Sequence, residues 1–398
     1  MMRRISIVVL FLGTLFLLPL NISYADNAEV MPKGVAGVDL TGKFYFPVDE
    51  QFDDSGDVED VAADFNAELD SSVFPALSAL DPFVPGNASI GNSVVSIEHK
   101  PTEFELLAQR GITDRLTVGI KIPYRIVKIE VDASLDTSTA NVGKNPFAPG
   151  GVAPLYAPGT VPFTTADTQE LLAQEFGYKP LETWSDEGFL DIEAGLRYQY
   201  LKTDKWRLAF TGVVRMPTGE VDDPDNLIDM GFGTGAWALR FFFNNDYTGI
   251  ENFLFNATLN YDLVLPDKEE LRVPVDVNQP ITPNKEEVDR DIGDTIKLDL
   301  SASYQFFKGS SAFLQYEYGY KFEDSISGNQ GFAYDQLEAE SDSVEHIFKI
   351  GLSYSTIPLY QEKKFPVPLV TSIVYRDRFA GKNVLKTQYI ALGVTVYF

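Results

Sequence analysis

The chain has 398 residues and no cysteine, with 58 acidic against 32 basic side chains, a net charge of −26 and 13% aromatic residues. That acidic balance excludes a nucleic-acid binder, which needs a basic face. The missing cysteines exclude disulfide staples and thiolate-held metals, and the aromatic content excludes general disorder.

The N-terminus reads in three zones. Arg3 and Arg4 give a positive start, 5–20 is an apolar run, and Ser23-Tyr24-Ala25 fits a small-x-small cleavage site. This order predicts an export signal cleaved after Ala25. A membrane anchor competes, but Pro19 and the following Asn21 weaken it. Beyond Ala25 no apolar stretch approaches the roughly 18 residues of a spanning helix, so a membrane would have to be crossed by strands. Residues 26–398 are expected to form one domain.

Period-2 alternation runs through that domain and predicts twelve strands, at 34–46, 93–109, 116–131, 188–201, 206–217, 230–243, 252–265, 294–307, 312–323, 343–355, 366–377 and 385–398. In 294–307, for example, Ile296, Leu298, Leu300, Ala302, Tyr304 and Phe306 alternate with Lys297, Asp299, Ser301, Ser303 and Gln305. The last strand sets Ile390, Leu392, Val394, Val396 and the terminal Phe398 on one face. A soluble sandwich would hide such a face in a core, whereas a membrane barrel turns it to lipid and lines its lumen with the polar one.

Three features choose the barrel. Strands of ten or more residues exceed the usual ~5–6 and suit a tilted membrane span. Short connections at 110–115, 203–205 and 308–311 alternate with long ones at 47–92, 132–187, 266–293 and 324–342, as periplasmic turns alternate with outer loops. Aromatic rings gather at both sets of ends. Tyr198, Tyr200, Trp206, Phe241, Phe253, Tyr304, Phe306, Tyr354 and Phe398 lie beside the short turns; Phe44, Phe46, Tyr124, Tyr261, Tyr320 and Phe322 lie beside the long loops. The expected fold class is all-β: a transmembrane antiparallel up-and-down β-barrel of about twelve strands in the bacterial outer membrane, with both termini in the periplasm. Its Phe398 strand would be the handle for the outer-membrane assembly machinery.

The long loops are acidic. Residues 47–92 hold no Lys or Arg, and Val58, Val61, Ala62, Phe65 and Leu69 keep helical spacing, which predicts a short amphipathic helix. Residues 133–187 carry a second helical patch from Asp167 to Phe176. Loops this long either fold inward to narrow a pore or stay solvated.

Several stretches resemble the family of outer-membrane proteins, often labelled transporters, that is named for the meta-pathway of phenol degradation. They are GITDRLTVGIKIPYR at 111–125, GFLDIEAGLR at 188–197, MPTGE at 216–220 and the Gly-rich strand 231–240. They cover the second through sixth predicted strands, and the C-terminal half matches only as generic barrel. The resemblance implies passage of small, often aromatic or apolar, compounds across the outer membrane.

Little here suggests catalysis or a cofactor. The two histidines, His99 and His346, suit interfacial or lumenal polar positions; a lipid-face hydrolase built on His346 has only Ser341 and Ser343 nearby in sequence and no nucleophile motif. The carboxylate clusters at 53–60 and 222–226 lack EF-hand spacing and are expected to be solvated loops, with Ca²⁺ bridging to lipopolysaccharide as the alternative. The predicted lumen face holds Lys43, Lys121, Arg125, Arg197, Arg207, Arg215, Arg240, Lys297, Lys321, Lys349 and Arg376. Against these eleven cations stand nine anions: Asp39, Glu103, Glu105, Asp191, Glu193, Asp262, Asp299, Glu317 and Glu345.

A twelve-strand lumen lies between the filled bore of eight strands and the open one of sixteen, so opposite charges can pair across it and constrict it. Lys121, Arg125, Glu193, Arg197, Arg207, Arg215, Arg240, Asp262, Asp299, Glu317 and Lys349 are the constriction candidates. Arg197 and Arg207 flank one short turn at matched distances, which predicts that they lie side by side at the periplasmic mouth and need carboxylate partners or an anionic solute. The expected function is a narrow passive channel for small solutes, in contact with outer-membrane lipid and lipopolysaccharide. A structural or adhesive barrel with a plugged lumen is the alternative.

Overall fold

The computed structural model describes residues 27–276 and 281–398, and the expected export signal lies outside the described residues. Twelve antiparallel strands form one closed barrel. They are β1 (Ala36–Tyr45), β2 (Asn92–Thr113), β3 (Leu116–Asp136), β4 in two pieces (Trp184–Phe189 and Ile192–Lys202), β5 (Trp206–Met216) and β6 (Ala238–Tyr247). The second half is β7 (Phe253–Val264), β8 (Thr295–Phe307), β9 (Ser310–Lys321), β10 (Ser343–Ser355), β11 (Leu369–Lys382) and β12 (Gln388–Tyr397). Each strand pairs with its neighbours in sequence, and β1 pairs with β12, with Leu40 opposite Val394. Closure leaves no unpaired edge facing lipid, where each bare backbone group would cost several kcal/mol.

The apolar face points outward throughout. Leu40, Leu106, Ile120, Leu196, Leu259, Leu300, Leu314, Leu352 and Leu392 are exposed on the barrel wall, while their sequence neighbours of the other parity line the lumen. Trp206 packs against Tyr247, and Phe253 against Tyr304, as tilted ring pairs with centroids 4.8 Å apart beside the short turns.

β6 departs furthest from expectation. β6 starts at Ala238 rather than 230 and runs on to Tyr247. Residues 230–237 alternate glycine with larger side chains and so read as a strand, but their backbone is claimed elsewhere. Glu220 O accepts from Phe232 and Gly233, and the Asp191 carboxylate accepts from Thr234 N at 3.2 Å. The shift moves Phe241 out of the periplasmic girdle, since it now sits opposite Tyr261 toward the outer end.

The outer loops fold on one another. Leu69, Phe74, Leu77, Ala88 and Ile90 from the first long loop and its edge share an apolar core with Val142, Phe163, Phe176 and Tyr178 from the second. The helix expected near 58–69 is absent: Val58–Asp60 is a strand paired with Glu50–Phe52, followed by a single 3-10 turn, Ala63–Phe65. The second patch is helical, as Thr165–Leu171 extended by a π-turn Leu172–Phe176, and it is started by a capping box between Thr164 and Asp167.

Candidate functional site

The lumen is built in levels. Toward the outer end runs a belt of ion pairs. Lys43 bridges Glu103 and Glu105 at 3.3 and 3.0 Å, and Arg125 takes Glu103 at 2.8 Å. Lys121 and Arg240 share Glu193 at 3.0 and 2.8 Å, and Arg240 also holds Asp262 at 2.9 Å. On the far wall Lys297 joins Glu345 at 2.7 Å, Lys349 joins Glu317 at 2.8 Å, and Arg378 takes Glu345 at 2.8 Å. Alternation along each strand sends these side chains inward, and opposite charges on adjacent strands then meet within ion-pair reach. Desolvated charges persist only when paired in this way.

Asp299 and Glu317 are register partners of like sign, and Asp299 accepts instead from the Gln315 amide at 3.0 Å. Arg215 lies 3.8 Å from Asp191. Lys321 leaves the belt and reaches Asp324 and the Ser341 carbonyl at the outer rim.

Immediately above the belt the inner face turns apolar. Val95 and Ile97 of β2 and Val127 and Ile129 of β3 are buried against Ala62, Ile228 and Phe232 from the loops. The loop that reaches down to the belt is therefore 217–237, and Arg125 donates to its Gly231 carbonyl at 3.3 Å. In that loop burial pushes the Asp222 carboxyl up, whereas Lys179 holds Asp223 below the usual carboxylate range. Arg272 pairs with Asp225 at 2.6 Å. Cations of the protein occupy this cluster, and among the described residues no group of three or more metal-binding side chains is placed to share an ion.

Below the belt a hydrogen-bonded chain of small polar groups crosses the wall. Arg197 donates to Thr211 at 2.8 Å, Thr211 to Asn244 at 3.1 Å, Asn244 to Thr258 at 3.2 Å, and Asn256 to Asp246 at 2.8 Å.

At the periplasmic end the two arginines are not side by side. Arg197 stands opposite Thr211 and Arg207 opposite Lys202, because the turn pairs Lys202 with Arg207 and a bulge follows at Leu208/Ala209. Both reach Glu29 of the N-terminal segment: Arg207 pairs with its carboxylate and Arg197 approaches its carbonyl at 3.5 Å. Ala28, which is fully buried, donates its N–H to Asp246 at 3.1 Å and accepts from Gln199 at 2.7 Å.

Three belt or mouth residues lie outside the predicted lumen, among them Asp246, which follows the predicted end of the sixth strand at 243. Glu29 precedes the first predicted strand, and Arg378 follows the predicted end of the eleventh at 377, although it shares the parity of Arg376. Extending the alternation two residues would have found Arg378. Among the histidines, His346 lies on the lipid face, its Nδ1 2.7 Å from the Tyr316 hydroxyl among the rings of Tyr318 and Phe379, where the hydrolase alternative needs a serine. His99 is half-buried on the β2 bridge to Val48, with no hydrogen-bond partner for Nδ1.

The family model described as "Putative MetA-pathway of phenol degradation" matches residues 133–359. The match takes in the stretches at 188–197, 216–220 and 231–240, leaves out 111–125, and runs through the C-terminal strands as far as β10. Among solved structures, an outer membrane channel from Pseudomonas putida F1 shares the fold at 12% identity and a TM-score of 0.53, over 95% of this chain and all (100%) of that one. The CymD monoaromatic hydrocarbon channel is 10% identical over 92% of this chain and 89% of that one, at a TM-score of 0.37. A mutant TodX monoaromatic hydrocarbon channel is 8% identical over 94% and 92%, at 0.36. No curated protein matches the sequence.

Proposed function

The chain belongs to the family described as "Putative MetA-pathway of phenol degradation", and from that premise we propose that it is a passive outer-membrane channel for small apolar or aromatic solutes. The observation that carries this reading is the apolar packing over the outer part of the barrel. Val95, Ile97, Val127, Ile129 and Phe232 are buried against one another above a belt in which charged groups are consumed by one another. Parting of loop 217–237 from β2 and β3 would offer these apolar side chains to an entering solute. The neutralised charges below leave less bare charge in its path than an open ring would. In this reading residues 1–25 are an export signal, and 26–398 are one barrel domain held by lipid and lipopolysaccharide outside. Lys121, Arg125, Glu193, Arg215, Arg240, Asp262, Asp299, Glu317 and Lys349 set the constriction.

Reconstitution tests it. Purified barrel in liposomes should admit small neutral solutes in a swelling assay, with a sharp size limit, and should give discrete conductance steps in planar bilayers. A structural, plugged barrel is favoured by the same saturated ion pairs. It would be supported by silence in both assays from the full chain and from a variant lacking residues 27–31.

A further inference from the structure

His346 stands on the lipid face of β10, where membrane barrels present apolar side chains. Its ring lies 5.3 Å from that of Tyr318 and 6.1 Å from that of Phe379, and its Nδ1 is 2.7 Å from the Tyr316 hydroxyl. Nε2, across the ring, has no hydrogen-bond partner among the described residues, so a polar edge is left to the hydrocarbon. We infer that this patch binds one hydroxylated acyl chain of lipopolysaccharide. The chain lies in a groove over Ala302, and its hydroxyl is hydrogen-bonded to His346 Nε2. The inference rests on the barrel and its membrane, and is independent of what passes through the lumen.

Depth selects the ligand. Val344 is the register partner of Tyr320 in the outer girdle, and His346 lies two residues further in, opposite Tyr318. At a rise of ~3.4 Å per residue and a strand tilt of ~40°, two residues descend about 5 Å. The imidazole is thus inside the outer hydrocarbon layer, just beneath the headgroups. A polar group there is costly and needs a partner. A plain hydrocarbon tail offers none, whereas the acyl chains of lipid A carry hydroxyls a few carbons below the headgroup, at the matching level.

The wall is shaped to hold such a chain. Ala302 is a small residue set among Phe255, Leu300, Leu314, Tyr316 and Phe348, which leaves an open apolar groove of about 540 Å³. Tyr316 belongs to both features: its ring edges the groove and its hydroxyl fixes the imidazole. A β-bulge between His346 and Ile347 shifts the register on β11 from Ala380 to Arg378 and so adds Phe379 to the lipid face. That ring is half exposed beside both His346 and Tyr316. Bulges commonly re-aim a side chain in this way. Apolar contact alone selects no lipid, since the wall competes with hydrocarbon as apolar as itself. The hydrogen bond to Nε2 supplies the preference.

The full-length barrel, purified in mild detergent, is titrated with lipid A and separately with phosphatidylethanolamine, and bound lipid is counted by native mass spectrometry. Lipid A should be retained at several-fold lower concentration than phosphatidylethanolamine. His346→Leu should remove that preference, and His346→Gln, which keeps a polar edge, should restore part of it. Ala302→Leu should weaken retention by filling the groove. All three changes face lipid, so heat-resistant migration in gels should show folded barrels. With only two histidines in the chain, imidazole nitrogen resonances give a second reading on unaltered protein. The His346 signal should shift with lipid A and stay in place with phosphatidylethanolamine. The site is overturned by equal retention of the two lipids, by undiminished lipid A binding in both His346→Leu and Ala302→Leu, or by a resonance that ignores lipid A. A dimer that hides the patch and sheds lipid also overturns it, and makes a second copy the occupant.

Discussion

Arg272 is the clearest case of a single side chain organising the outer face. Its guanidinium pairs with Asp225, donates to the carbonyls of Phe176 at 2.6 Å, Gly177 at 2.9 Å and Thr282 at 2.7 Å, and lies 3.9 Å over the Tyr178 ring. It therefore ties together three outer loops. Arg272→Ala leaves Asp225 with Lys285 and strands three carbonyls. The cap should lose about 3 kcal/mol, the scale of breaking one side of a buried ion pair, read as faster cleavage of the loops by added protease while the barrel itself stays intact. Arg272→Lys should recover little, because an ammonium cannot reproduce the fork.

Asp167 gives a pH handle on the same cap. The Lys144 ammonium, with the Thr164 hydroxyl and N–H, holds its carboxyl down from 3.8 to about 2. A depressed carboxylate contributes stability above its unfolded value and loses it as pH falls through the folded one. Protection of 133–187 should therefore be steady above pH 4 and decline between roughly pH 4 and 2. Asp167→Asn should flatten that decline, and an unchanged profile in the variant would assign it to other groups.

At the scale of elements, Asp191 explains why three separated stretches of the family resemblance belong together. Placed between the two pieces of β4, it accepts from Thr218 N and Gly219 N at 3.1 Å and from Thr234 N at 3.2 Å. The 188–197, 216–220 and 231–240 stretches thus meet on one carboxylate. Gly233 has to be small there, since a Cβ would sit 2.6 Å from Asp191 Oδ1 and 2.7 Å from Gly219 O. Gly233→Ala should cost about 1–3 kcal/mol by overpacking, seen as a lower melting temperature, with disorder of 217–237 ahead of the barrel. Strand existence was legible in the sequence because alternation is a local property of the chain. The start of β6 was not, because the competing acceptors, Asp191 and Glu220, come from elsewhere in the chain.

For the whole molecule, the decisive quantity is the charge left over inside. Beyond the sequence-predicted set the fold adds Arg378 against Glu29 and Asp246, and Lys321 turns to the outer rim, so the slight cationic excess on the lumen face disappears. Little preference between anions and cations is expected for the full chain under a salt gradient. In a barrel lacking residues 27–31, Arg197→Ala with Arg207→Ala should shift the reversal potential toward cations. An unmoved potential would remove the mouth arginines from the conduction path. Arg240→Ala should act on stability instead. It takes from Asp262 its guanidinium partner and leaves Glu193 to Lys121 alone, at a cost of about 3 kcal/mol that heat-resistant migration in gels would report.

The barrel, its strand number, its lipid and lumen faces and most of the charges within were legible along the chain. Each of these follows from a two-residue period and from loop lengths, and both are written along the chain. Tertiary structure alone decided which charges meet, which loop descends on the belt, and that the chain's own Glu29 sits beneath Arg207. Such pairings depend on strand register and on closure of the ring. A bulge at Leu208/Ala209 and a turn at Gly34 set them in ways that no local pattern carries.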